Sequence, residues 1–139
     1  SGTIADGKLR SIRTANHGEV EFEADNFVLA TGSFFSHGIV ATAEHIYEPI
    51  LGLDVDAEGV RSEWYDRNLF NPQPYMGFGV STDNHLRVSK DGGVLSNLYA
   101  VGAVLSGCNP VKEGCGAGVS ILTSLYVAGQ IINKKQGDE

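Results

Sequence analysis

A cluster of glycines near the C-terminal end of the chain is the feature best suited to binding chemistry. Gly114, Gly116 and Gly118 follow a buried apolar segment, residues 98–104, and precede a helical pattern that runs to Asn133. A strand, a glycine-rich turn and a helix start in this order direct free backbone N–H groups and the positive end of the helix dipole at one point. The sequence therefore predicts a site for a phosphate, a carboxylate or another electron-rich oxygen.

Two common nucleotide-binding motifs do not fit this glycine cluster. A dinucleotide fingerprint needs a further glycine where the chain has Val119. It also needs an acidic residue about 20 positions later at the end of another strand, where this chain is already in its polar tail. A P-loop is excluded as well, because no Gly-Lys-Ser/Thr follows the glycines.

The cysteine and histidine side chains show no spacing that predicts a metal site. The catalytic residues stay unassigned. Cys108 and Cys115 are too few for a disulfide framework and do not match a zinc motif, which favours two reduced thiols in a reducing cytoplasm. His37 and His45 lie nearest the predicted site, where either would be able to assist proton transfer. Three arginines are candidate phosphate ligands without a supporting motif: Arg61, Arg67 and Arg87.

The composition indicates one globular domain of 139 residues. Hydrophobic residues make up 42% and charged residues 19%, and the net charge is -7. This acidic balance argues against a nucleic-acid partner, and no apolar run approaches the roughly 20 residues of a membrane span. The single methionine is Met76 and no leader sequence is visible. We therefore expect the chain to be the C-terminal part of a longer protein, with N-terminal processing or a tag scar on a complete small protein as the alternative.

The elements that position the glycine cluster follow from hydrophobic periodicity. Residues 1–24 alternate polar and apolar side chains between turn signals, which predicts an antiparallel meander. Residues 27–30 and 98–104 are unbroken apolar runs, typical of parallel strands buried on both faces. The helix after the glycines is apolar around much of its circumference, which predicts that it is buried. Its main stripe contains Ile121, Leu122, Leu125, Ala128 and Ile132.

The segment between the two apolar strands is harder to interpret. Residues 34–48 favour neither a helix nor an irregular connection. Residues 48–79 combine Pro, Gly and Asp with many aromatic side chains, which indicates ordered connecting structure and not a flexible linker. Residues 78–80 and 86–88 are predicted to pair as a hairpin. The predicted fold class is α/β, with parallel strands, an antiparallel meander and a buried C-terminal helix.

Two of these segments resemble motifs of flavoproteins with the glutathione-reductase type of nucleotide-binding fold. Residues 27–32, FVLATG, resemble the "ATG" strand, and residues 97–102, NLYAVG, with the glycine-rich helix start resemble the C-terminal flavin motif. The chain as a whole is similar to the C-terminal third of the B subunits of anaerobic glycerol-3-phosphate dehydrogenases, without the N-terminal dinucleotide fingerprint. The similar segments, in the family's order, are residues 29–36, 47–55, 63–65, 72–74, 78–80 and 113–116.

The resemblance implies a bacterial, quinone-linked enzyme that oxidises sn-glycerol 3-phosphate to dihydroxyacetone phosphate during anaerobic growth. It implies that the chain binds FMN, with FAD as the alternative, and transfers electrons. Its implied partners are an FAD-containing catalytic subunit and an iron–sulfur subunit that anchors the complex. The implied location is cytoplasmic, peripheral at the inner face of the bacterial cell membrane.

The resemblance also implies the residues that contact the flavin. Gly102 would bring the backbone close to the ribityl chain, and Ala103 stands where many flavoproteins have an aspartate for a ribityl hydroxyl. The helix start would direct N–H groups at the pyrimidine edge of the ring system. The implied cofactor-binding set is Thr31, Gly32, Gly102, Ala103, Cys115, Gly116, Ala117, Gly118 and Val119.

Two other functions stay open at this point. The first is a non-catalytic assembly subunit that keeps the flavoprotein fold but has lost tight flavin binding, which Ala103 supports. The second is a different flavin oxidoreductase, such as a fumarate-reductase-like enzyme. That class typically needs clusters of arginine and histidine for a dicarboxylate, and the sequence shows none.

Overall fold

The antiparallel meander predicted for residues 1–24 is present. The computed structural model describes residues 1–114 and 116–137, without the side chains of 110 and 135–137. Strands β1 (Gly2–Ala5), β2 (Lys8–Arg13) and β3 (Glu21–Glu23) form an antiparallel sheet in the order β1-β2-β3. The first turn uses Asp6 and Gly7, both at positive φ, as a tight hairpin requires.

A second sheet contains the two apolar strands that precede the glycine positions. Strands β4 (Phe27–Leu29), β9 (Arg87–Lys90) and β10 (Gly93–Ala100) form this sheet in the order β4-β10-β9. The predicted parallel pairing of β4 with β10 is confirmed. The prediction that β4 is buried on both faces is wrong, because Val28 is 49% exposed. The described elements cover only the face of β4 that carries Leu29, so Val28 on the other face stays exposed.

The chain between β4 and β9 is ordered connecting structure, as predicted for residues 48–79. After a 3-10 turn at Phe34–Ser36, strands β5 (Val40–Ala41) and β6 (Ile46–Tyr47) pair as a hairpin, so residues 34–48 are irregular and not α-helical. Strands β7 (Val55–Asp56) and β8 (Gly79–Val80) pair antiparallel across the rest of the segment. Further 3-10 turns lie at Arg61–Glu63 and Pro74–Gly77.

The hairpin predicted between residues 78–80 and 86–88 is wrong. Val80 pairs with Val55, and β9 pairs with β10 across the turn at Asp91 and Gly92. Between the two predicted strands, one isolated bridge joins Thr82 and Val88. A turn does lie between the two segments, where Leu86 N donates to Asp83 O at 3.0 Å, but the longer ladders of β8 and β9 form with β7 and β10.

One hydrophobic cluster lies between the sheets and the connecting segment. It includes Leu9 of β2, Leu29 of β4, Val80 of β8 and Leu98 of β10, all buried. It therefore joins the meander, the parallel pair and the connecting segment in one core.

Two buried polar side chains support this core. Asn97 accepts a hydrogen bond from Leu9 N and donates to Leu9 O, both at 2.8 Å, and it also donates to Asp25 O at 3.1 Å. The Glu48 carboxylate accepts hydrogen bonds from the backbone N–H groups of Ile50 and Leu51 at 2.9 and 2.8 Å. Both side chains thereby satisfy backbone groups that the strand ladders leave unpaired.

Two helices follow β10 in the described part of the chain, α1 (Pro110–Glu113) and α2 (Gly116–Gly137). The predicted helix is present and extends past Asn133. The prediction that it is buried is wrong, because all five residues of the predicted stripe are exposed, Leu122 by 69%. Among the residues that the structure describes, no helix is both long and apolar enough to span a membrane.

The side of α2 that faces the body is narrow. Val127 is 2% exposed and packs with Tyr99, Val101 and Ile131. Val119, Thr123, Val127 and Ile131, spaced four residues apart, are at least partly buried, as one line along a helix should be. Hydrophobic periodicity shows which faces of a helix are apolar enough to be buried. In the described structure, the rest of the protein covers only this line of four residues.

Candidate functional site

The parallel pair of strands brings the predicted glycine positions to one edge of the sheet. Ala100 lies opposite Leu29, and Val101 N donates a hydrogen bond to Leu29 O at 3.0 Å. The predicted residues Thr31 and Gly32 therefore leave the sheet beside Gly102 and Ala103. Open α/β sheets bind ligands at the carboxyl ends of parallel strands, so this edge is the candidate site.

Both glycines at the strand ends have backbone conformations that favour glycine. Gly32 has φ +77°, and Gly102 has φ +73°. A side-chain carbon at Gly102 would lie 3.0 Å from Ser120 Oγ on α2. The helix thus lies directly against the end of β10, and Gly102 permits that approach.

The turn after β4 is closed by a third glycine. A side-chain carbon at Gly38 would lie 2.0 Å from Gly32 O and 2.7 Å from Thr31 O. Gly38 N also donates to Ser33 O at 3.0 Å, so the loop of residues 33–38 folds back on the end of the strand. Gly38 was not predicted to belong to this edge, and its only signal in the sequence is a glycine shortly after the ATG-like motif.

The hydroxyl group of Thr31 is the unusual polar group of this edge. Thr31 Oγ1 is a buried atom that has no hydrogen-bond partner in the described structure. Buried polar atoms are nearly always paired, and an unpaired one costs free energy. A ligand or a neighbouring segment that supplies a donor or acceptor here would remove that cost.

The start of α2 provides the third side of the candidate site. Gly102 N donates to Thr123 Oγ1 at 3.0 Å, which joins the second turn of α2 to the end of β10. Gly116, Ala117 and Gly118 are exposed, and the first amides of a helix have no partner within it. Val119 is partly buried. The predicted residue Cys115 lies outside the described residues.

The connection between β10 and α2 is held by the segment near β8. Ser106 N donates to Val80 O at 3.2 Å, and Gly107 N donates to Gly77 O at 2.8 Å. The Asp56 carboxylate accepts hydrogen bonds from the hydroxyl groups of Ser106, at 2.7 Å, and Ser81. These contacts fix the path of the chain from the strand end toward the helix.

The thiol of Cys108 lies on this connection. Burial, and then the negative charge of Glu113, raise the pKa of the Cys108 thiol above its ordinary value. Since the thiolate is the reactive form of cysteine, this thiol is less reactive than an ordinary cysteine at neutral pH.

The other candidate side chains have mainly structural contacts. Arg61 donates to Thr42 O at 2.9 Å and stacks on Trp64, and Arg87 pairs with Asp83. His45 contacts Tyr47, whereas His37 and Arg67 are exposed. No group of three or more His, Cys, Asp or Glu side chains in the described part of the chain is arranged to hold a metal ion.

A separate groove does not involve the predicted flavin residues. Its volume is about 930 Å³, and charged and polar side chains of the meander line it, among them Lys8, Arg10 and Glu23. Asn97 and Lys134 complete part of its wall. The groove and the strand-end site are therefore separate surfaces of the protein.

Comparison with known proteins supports a flavoprotein. The family described as "FAD binding domain" matches residues 3–119. This match supports a flavin cofactor, and FAD in particular, whereas it gives no support to FMN. The chain is a mixed α/β structure, consistent with such a domain. No solved structure gives a significant match.

Curated relatives are named as the B subunit of anaerobic glycerol-3-phosphate dehydrogenase. One from Yersinia pestis bv. Antiqua is 50% identical over 131 residues, which are 94% of this chain and 31% of the relative. One from Pectobacterium atrosepticum is 44% identical over 89% of this chain and 30% of the relative, and one from Aliivibrio fischeri is 42% identical over 95% and 30%. The chain spans about a third of the length of these relatives. With the match over residues 3–119, the chain belongs to the FAD binding domain family.

Proposed function

We propose that this chain forms part of the flavin site of a subunit of an anaerobic glycerol-3-phosphate dehydrogenase. The observation that carries the proposal is the meeting of three elements at one edge: the end of β4, the end of β10 and the start of α2. The names of the relatives supply the enzyme, and the family match supplies the cofactor class.

The residues at this edge fit a flavin. The buried Thr31 hydroxyl lacks a hydrogen-bond partner among the described residues. Because Gly32 and Gly102 have no side chains, a ligand would be able to approach the backbone closely at both strand ends. The exposed amides at residues 116–118 supply donors for electron-rich oxygens. We assign Thr31, Gly32, Gly102 and residues 116–119 as the flavin contacts.

We propose FAD as the cofactor, because the matching family is defined by FAD binding. A bound flavin supplies a ring system that accepts electrons from one reactant and passes them to another. The start of α2 favours negative charge on the group that it faces, because the helix dipole is positive there. Ala103 offers no carboxylate, so a hydroxyl-bearing part of the ligand would depend on backbone groups at this position.

The wider activity is proposed from the names of the relatives. The whole protein would oxidise sn-glycerol 3-phosphate to dihydroxyacetone phosphate and transfer electrons toward quinone. It would act with an FAD-containing catalytic subunit and an iron–sulfur subunit, in the cytoplasm at the inner face of the membrane. Within it, these 139 residues would be the C-terminal part of a glutathione-reductase-like fold, as the resemblance of residues 27–32 and 97–102 to motifs of that fold implies.

A non-catalytic assembly subunit is the second candidate. Two observations favour it: Ala103 stands where a carboxylate is expected, and the Gly102 N–H is already used by Thr123. Each removes one polar contact that a flavin would otherwise receive at the end of β10. This candidate keeps the fold and the partners but binds no flavin tightly.

The flavin content of the purified full-length protein separates these two functions. Visible absorbance is recorded, the protein is denatured, and the released cofactor is identified by chromatography. One FAD per chain supports the proposal, and FMN would correct the cofactor. If the protein contains no flavin even after incubation with FAD and FMN, the proposed flavin site is overturned and the assembly function remains.

The Thr31→Val variant tests whether the flavin binds at this edge of the sheet. Because the Thr31 hydroxyl has no partner within the described chain, we expect the variant to be as stable as the wild type but to bind FAD about five- to tenfold more weakly. Thr3→Val, at an exposed position of β1, is the matched control. Equal affinity of Thr31→Val and wild type would remove Thr31 from the site.

A further inference from the structure

Thr123 occupies the point where α2 meets the end of β10. It lies in the second turn of the helix, in the narrow line that faces the body, and it is partly buried. Neither the sequence motifs nor the family match assigns a role to it. The glycine cluster that signals the site ends at Gly118, five positions earlier.

The Thr123 hydroxyl forms hydrogen bonds in two directions. Its oxygen accepts the hydrogen bond from Gly102 N at 3.0 Å, and its hydrogen is donated to Val119 O at 2.7 Å. Gly102 is at positive φ, and its N–H is satisfied by α2. One hydroxyl therefore connects the strand end with a carbonyl in the first turn of the helix.

Among the described hydrogen bonds between α2 and the body, this one lies nearest to the helix start. Other described hydrogen bonds from α2 to the body lie further along, from Tyr126 Oη to Asn84 O at 3.0 Å and from Lys134 Nζ to Ser96 O at 3.4 Å. The buried apolar contact at Val127 also lies beyond Thr123. Thr123 thus forms the described hydrogen bond to the body that lies nearest to residues 116–118, next to the close approach of Ser120 to Gly102.

We propose that Thr123 is a positioning residue that sets the helix-start amides against the ends of β4 and β10 and so determines flavin affinity. This inference rests on the proposed flavin site. Loss of the hydroxyl releases Gly102 N and allows the first turn of α2 to move away from the strand ends. The amides then remain available, but no longer at the distance that the strand-end contacts require.

The test compares three variants of the full-length protein in FAD titrations. Thr123→Val removes the hydroxyl and keeps the branched shape, and Thr123→Ser keeps the hydroxyl. Ser124→Ala is the matched control, because Ser124 Oγ makes the same kind of bond to the carbonyl four residues earlier, at 2.6 Å to Ser120 O. Ser124 is exposed.

We expect Thr123→Val to bind FAD about tenfold more weakly and to shift the visible spectrum of the bound flavin. Thr123→Ser should stay within about twofold of wild type, and Ser124→Ala should match it. Urea unfolding of the flavin-free proteins separates positioning from general stability. If Thr123→Val does not fold, Thr123→Ala takes its place.

Three results overturn the proposal. The first is wild-type or tighter affinity in Thr123→Val, with FAD bound by the wild type, since tighter binding would mean that the released Gly102 N–H serves the flavin better than the anchored helix does. The second is a loss of affinity in Thr123→Ser as large as in Thr123→Val. The third is a loss that follows the stability of the flavin-free proteins. If the wild type itself binds no flavin, the proposed flavin site fails, and the role of Thr123 fails with it.

Discussion

The sheet-containing body and helix α2 are held in different ways. In the body, Val80 and Val88 are fully buried and Leu98 is 2% exposed, and the buried amide of Asn97 is completely paired with backbone. On α2, Val127 is buried, while Leu122 and its neighbours on the same face are exposed. The body is therefore defined by its own core, whereas α2 is placed by a few directional contacts. The candidate site lies where the two regions meet.

The largest expected effect is a difference in the free energy of unfolding between a core variant of the body and a matched variant of α2. Leu98→Ala should lower the free energy of unfolding by about 3 kcal/mol, because it leaves a cavity in the core. Leu122→Ala, which removes the same atoms from an exposed helix position, should change it by less than about 0.5 kcal/mol. Urea unfolding measures both. Similar losses for the two variants would mean that another surface covers α2.

The next effect tests the polar contacts inside the body. Asn97→Ala should cost about 2 kcal/mol, because Leu9 N and Leu9 O lose a buried partner. Asn133→Ala on the exposed side of α2 is the control, and it should be neutral or slightly stabilising. Thermal unfolding with both variants measures the difference. A neutral Asn97→Ala would show that water replaces the amide.

A pair of glycine substitutions tests the junction between the two regions. Gly102→Ala should cost about 1–2 kcal/mol, since φ is +73° and the added carbon lies 3.0 Å from Ser120 Oγ. Gly129→Ala lies within α2 and has open space around the added carbon, so it should stabilise by up to about 1 kcal/mol. Effects of the same sign would contradict the close approach at Gly102.

The smallest effect concerns the loop of the body that α2 contacts through Tyr126. Burial tends to raise the pKa of Asp83, but hydrogen bonds from Arg87 and His85 and the Arg87 charge outweigh it, so the pKa lies below its ordinary value. Asp83→Asn should therefore cost about 1 kcal/mol at neutral pH. The stabilisation is present above the pKa of the unfolded state, about 3.9.

As the pH falls through the lowered pKa of folded Asp83, this stabilisation is lost. The difference between wild type and Asp83→Asn should therefore shrink as the pH falls below the unfolded-state pKa of about 3.9 and through the lower pKa of the folded state. Urea midpoints of both proteins between about pH 3 and pH 7 measure it. A difference that does not depend on pH would show that the carboxylate charge contributes nothing.

The parts of the fold that the sequence predicted are those with local or strictly periodic signals. Strict alternation identified the meander, and the unbroken run at residues 27–30 identified a strand that is paired in parallel. The hairpin at residues 78–88 was wrong because the partner of Val80 is Val55, which lies 25 positions earlier and carries no local signal. The pairing depends on the core and not on the turn.

The candidate site was predictable where glycine marks it. Gly32 and Gly102, which end the two motifs, both have positive φ values. Thr123 had no signal, because a threonine in the middle of a helix shows its role only when the neighbouring strand end is known. The prediction that α2 is buried was wrong for a related reason. A stripe of apolar side chains does not show whether another part of the protein covers it.

The parallel pairing of β4 with β10 also has a consequence for the order of folding. Phe27 and Leu98 are about 70 positions apart, whereas β9 and β10 are joined by a tight turn. A hairpin forms within microseconds, but a contact between distant segments must wait for loop closure. During synthesis, β4 leaves the ribosome long before β10 exists. We therefore expect β4 to join the sheet late, after the β9–β10 hairpin offers it an edge, with α2 following last.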